Sequence, residues 1–135
     1  MQGANGFSAM LAREQLLQFN VTGASVSEAK GARKQAVFQQ KRLRYIKSQL
    51  NLEMKYIRNH YSQKSRGAGS RGSFVLKLML KPGLAGNYRA HAKHVLRAER
   101  NAVLLPYERV KTRIDNGITQ LDRVKYEIDT FILNS

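Results

Sequence analysis

From Val103 to Phe131 one stripe of residues recurs at helical spacing: Val103, Tyr107, Val110, Ile114, Gly117, Leu121, Val124, Ile128 and Phe131. The steps alternate between four and three for about four heptads, which keeps the stripe on one side of an α-helix. Such a helix must bury that side against another helix. A partner of matching length lies upstream. Ser25-Val26-Ser27-Glu28 reads as a capping box, in which the Ser25 hydroxyl accepts from the backbone at Glu28, and no proline follows before Pro82. The spacing predicts a helix over 26–63 with a stripe Ala32, Ala36, Leu43, Ile46, Leu50, Met54, Ile57 and Tyr61.

These two stripes predict an all-α fold. It is an antiparallel coiled-coil helical hairpin with long helices over about 26–63 and 88–133, the second kinked or restarted near Pro106. Asn87 is the expected cap of the second helix. FSAMLAREQLLQF, residues 7–19, predicts a short amphipathic helix packed alongside. Between the long helices, 64–87 reads as a Gly-rich basic turn, KSRGAGSRGS, followed by the apolar run 74–80. That run alternates like a strand. With no second strand to pair, it reads better as a segment packed on the bundle. The length suits one helical domain over 1–135.

The charge is uneven. The net charge is +15, and residues 1–106 carry all of it, with 19 basic and 4 acidic side chains; residues 107–135 hold 5 of each. Solubility needs far less charge than this, so a polyanionic partner is expected. On helix 26–63 the cations Arg33, Lys34, Lys41, Arg42, Arg44, Lys47, Lys55 and Arg58 accompany Phe38, Tyr45, Tyr56 and Tyr61, and Arg66 and Arg71 follow in the turn. Cations neutralise phosphates, and rings can stack on exposed bases. These ten cations are the expected nucleic-acid-binding residues, on DNA or RNA alike. A second apolar stripe, Phe38, Tyr45, Leu52 and Tyr56, lies nearly opposite the first and offers a surface for protein partners or self-association.

Other patterns point away from catalysis. Gly67-Ala68-Gly69-Ser70-Arg71-Gly72 matches G-x-G-x-x-G letter for letter, but a helix precedes it where a strand is required. His60, His91 and His94 are surrounded by Arg89, Lys93, Arg97 and Arg100, which disfavour a dication, so no metal or other cofactor is expected. Glu108, Asp115, Asp122 and Asp129 recur every seven residues along one helix. That is a flank suited to pairing with Lys34, Lys41 and Lys55 across a helix interface, not a pair of converging catalytic carboxylates. No nucleophile-base arrangement can be assembled from spacing, and the chain has no cysteine.

The expected function is therefore non-catalytic. The chain binds the phosphate backbone as a small subunit of a nucleoprotein complex. The alternative is a coiled-coil adaptor or structural subunit that docks an acidic protein. Absence of cysteine, of a charged leader and of any long apolar run sets the expected location as intracellular, cytoplasmic or nucleoid-associated. A membrane partner is not expected, because the basic face has no adjoining inserting stripe.

Overall fold

The computed structural model describes the backbone of residues 2–79 and 82–135, and the side chains of 2–66 and 89–135. Three helices follow one another: α1, Gly3–Arg13; α2, Val26–Met79; and α3, Pro82–Leu133. There is no strand among the described residues.

The start of α2 follows the capping chemistry. The Glu28 amide donates to Ser25 Oγ at 3.1 Å, and the Ala29 amide donates to the Ser25 carbonyl at 3.0 Å. Just before it, Gly23 takes a left-handed φ of 77°, where a side chain would be strained. The Thr22 amide donates to Asn20 Oδ1 at 3.0 Å, closing an Asx turn.

Two boundaries of the long helices differ from those expected. α2 continues past residue 63, through the glycines, to Met79, and α3 begins at Pro82. Helix thus covers 64–79 and 82–87, where a basic turn was expected, and Asn87 lies inside α3 instead of capping it. Phe74–Met79 belong to α2; Leu80 and Lys81 lie outside the described residues. Glycine in a helix costs about 1 kcal/mol relative to alanine but leaves the hydrogen-bond ladder intact, whereas proline removes a donor. Pro82 is accordingly the punctuation mark, and it stands at the first helical position, where its missing N–H is no loss. Pro106 does not break α3, which is assigned as helix on both sides of it.

α1 is displaced towards the N-terminus relative to the expected 7–19. It ends at Arg13, and Glu14 adopts an extended backbone. The cause is Gln39 of α2. Its Oε1 accepts from the Leu17 amide at 2.9 Å, and its Nε2 donates to the Gln15 carbonyl. One side chain thus takes two backbone groups that a continuing helix would have used itself.

The chain divides into two units, one of Met1–Asn51 with Glu108–Ser135, the other of Leu52–Tyr107. In the first, α2 and α3 run antiparallel. Arg33 Nε meets Asp129 Oδ1 at 2.7 Å, Gln40 Nε2 meets Asp122 Oδ1 at 2.7 Å, and Lys47 Nζ meets Asp115 Oδ1 at 2.6 Å. Each step of seven along α2 is matched by a step of seven back along α3. Beneath this ladder Ala29, Ala36, Leu43, Ile46 and Leu50 of α2 are buried, as are Val110, Ile114, Leu121, Val124 and Ile128 of α3. At Gly117 an added Cβ would lie 3.3 Å from Leu43 Cδ1 and 3.6 Å from Leu16 Cδ2, so the missing side chain is the space those leucines use. Phe7 of α1 is also buried, and Phe19 meets Phe131 edge to face at 5.9 Å.

In the second unit Met54, Ile57, Leu104 and Tyr107 are buried. Here the expected seam shifts by one residue: Val103 is 41% exposed and Leu104 only 6%. Both positions share a helix face with Tyr107, at four and three residues' distance, and packing selects the nearer one. The Tyr107 hydroxyl donates to Glu53 Oε2 at 3.1 Å, and burial, followed by the neighbouring carboxylate, raises its pKa.

Candidate functional site

Opposite its buried stripe, α2 presents an outer face. With about 100° per residue, Lys30, Lys34, Phe38, Lys41, Arg44 and Tyr45 fall within one side of the helix. All six are exposed. Phe38 is 59% exposed and Tyr45 61%, values that place both rings outside the core. Lys30, Arg33, Lys34 and Lys41 surround Val37 and Phe38 in an open groove of about 550 Å³.

The ten expected phosphate-binding cations separate into groups. Arg33 and Lys47 are held by Asp129 and Asp115. Arg42 lies 2.8 Å from Glu14 Oε2, and its guanidinium stands 5.1 Å from the centroid of the Phe38 ring. The Glu14 oxygen is buried and the guanidinium is not aligned to hydrogen-bond it, so the contact is a charge pair, not a directed bond. These three cations secure α2 to α3 and to the segment after α1. The acid flank thus pairs with Arg33, Gln40 and Lys47, not with Lys34, Lys41 and Lys55.

Lys34, Lys41 and Arg44 remain exposed, and none is ion-paired with another described residue. Lys30, absent from the expected set, joins them one turn before Lys34; the four-residue spacing was its signal. Lys55, Arg58 and Arg66 are exposed in the second unit, and the side chain of Arg71 lies outside the described residues. Leu52 and Tyr56 are exposed there too, at 61% and 59%.

The sequence reading also passed over Gln39 and Gln40. Gln40 is 1% exposed. Its Nε2 donates to the Ile118 carbonyl at 3.0 Å as well as to Asp122, and its Oε1 accepts from Lys125 Nζ at 3.0 Å. Their signal was a gap: the α2 stripe jumps from Ala36 to Leu43, and these two polar residues stand where an apolar one was due.

Among the described residues no group of three or more His, Asp or Glu side chains is placed to hold a metal ion, and no helix is long and apolar enough to cross a membrane. No protein-family model matches the chain, and comparison with curated proteins and with solved structures returned no match.

Proposed function

We propose that this chain is a non-catalytic, strongly basic helical protein that binds the nucleic-acid phosphate backbone as a small subunit of a nucleoprotein complex. In this reading α2 and α3 form an antiparallel coiled-coil hairpin that turns the basic face of α2 outward, and the protein works in the cytoplasm or at the nucleoid. One observation carries the reading. Lys30, Lys34, Lys41 and Arg44 stand together on the exposed side of α2, while Arg33, Arg42 and Lys47 are used internally. Within residues 30–47 the cations that serve the fold are paired, and the other four gather on one face. Phosphates would release condensed counterions there, so binding must weaken as salt rises.

The test is a titration of a labelled oligonucleotide, followed by anisotropy at about 50 and about 200 mM salt. Four phosphate contacts give a log-log slope of roughly −3, so affinity should fall about 50-fold over that range. The triple variant Lys34→Glu, Lys41→Glu, Arg44→Glu should bind at least about tenfold more weakly on every sequence and show a shallower slope. No binding at low salt, or binding indifferent to salt, would overturn the reading.

A second reading, an adaptor that docks an acidic protein, draws on the exposure of Leu52 and Tyr56. A monodisperse monomer that purifies without a companion counts against it.

A further inference from the structure

We infer that the outer face of α2 takes single-stranded nucleic acid in preference to duplex, with unpaired bases stacking on Phe38 and Tyr45; this rests on the phosphate-binding reading above. The two rings are the argument. Neither belongs to the core, and both stand exposed among cations. They lie seven residues apart, about 10.5 Å along the helix, with Lys41 and Arg44 between them and Lys34 one turn before Phe38. Charge and ring are thus interspersed along the face, as phosphate and base are along a strand.

The groove beside Phe38 extends the match. Its apolar lining is Val37 and Phe38, and its rim carries Lys30, Arg33, Lys34 and Lys41. A planar base fits against the apolar part while its phosphates reach the lysines. Arg42 lies over the Phe38 ring, restricting it and adding a cation to the stack.

A duplex would use this face poorly. Its base faces are hidden in the stack, and base edges in the major groove are read by hydrogen-bonding side chains, which phenylalanine lacks. A two-fold contact through this face would set Lys30, Lys34, Lys41 and Arg44 of one copy against the same residues of another, and like charges disfavour that contact. Ring stacking, in contrast, tolerates any base, which suits a face with no patterned donors and acceptors.

The experiment compares a labelled mixed-sequence single strand of about 20 nucleotides with the duplex of the same sequence, at low salt, using the full chain. The single strand should bind at least about tenfold more tightly. Phe38→Ala with Tyr45→Ala should weaken single-strand binding about 10- to 100-fold and duplex binding less than about threefold, leaving the salt slope unchanged. Tyr45→Phe should retain affinity, since it keeps the ring. The chain has no tryptophan, so Tyr45→Trp supplies a single reporter that single strand should quench and duplex should not.

Equal binding of both forms with neutral ring variants rejects the single-strand assignment and leaves the phosphate reading standing. No binding of either form rejects both. If the double variant turns a dimer into a monomer while single-strand binding is unaffected, the rings join copies of the chain and the assignment falls.

Discussion

Gln40 decides more about this protein than its one side chain suggests. A buried amide costs free energy unless its hydrogen-bonding groups are satisfied, and here Ile118, Asp122 and Lys125 of α3 satisfy them. Because those partners occur at one place on α3, sliding α2 along α3 would strand the amide. Gln40→Ala should cost about 1–3 kcal/mol in urea unfolding, since it leaves a void and removes a partner from Asp122 and Lys125. Gln40→Leu removes the same hydrogen bonds but keeps the volume, so it should cost less than Gln40→Ala by the void alone. A negligible loss in Gln40→Leu would show that the network does not contribute. Tyr107 adds a second residue-scale expectation. Its raised pKa, due first to burial and then to Glu53, means that the folded chain holds the phenolic proton more tightly than the unfolded chain. That stabilisation is complete below the ordinary value of 10.0 and is lost as pH rises through the folded pKa. Melting temperature should therefore drop as pH rises above about 10, and Tyr107→Phe should flatten the drop. An unchanged alkaline slope in that variant would assign the loss to other groups.

Among the elements, the segment 14–19 is the least readable from sequence and the most dependent on a neighbour. FSAMLAREQLLQF has helical periodicity, yet helix stops at Arg13 because Gln39 captures the Gln15 carbonyl and the Leu17 amide. Leu17 and Phe19 then pack on the cluster of Ala29, Val124 and Ile128. Gln39→Ala should release this segment alone. Hydrogen exchange at the Leu17 amide should speed up by at least about tenfold, while amides around Leu43 and Ile114 keep their protection. Global loss of protection would mean that the segment is integral to the core. The long helices were far more legible. Heptad spacing located buried positions from Val110 to Ile128, and the capping box located the start of α2. Their ends were less legible, because glycine composition resembles a turn while the backbone obeys proline. At Val103 and Leu104 spacing permits either neighbour, and only packing separates them.

At the scale of the whole molecule, the seven cations of residues 30–47 have two destinations. Arg33, Arg42 and Lys47 meet carboxylates of the same chain; the more exposed pairs, Arg33 with Asp129 and Lys47 with Asp115, contribute about 0.2–1 kcal/mol each. Lys30, Lys34, Lys41 and Arg44 meet solvent, and the salt dependence proposed above is the measurement that distinguishes these roles. What the sequence by itself determined was helical class, the inward faces of α2 and α3, and the sign of the surface. Periodicity and net charge are additive along a chain, so no knowledge of neighbours is needed. Which cations are internal, why Gln39 and Gln40 are polar, and where α1 stops were decided only by tertiary structure. Each depends on a group far away in sequence, Asp129 for Arg33 and Asp122 for Gln40, and such a pairing exists only once α3 lies antiparallel against α2.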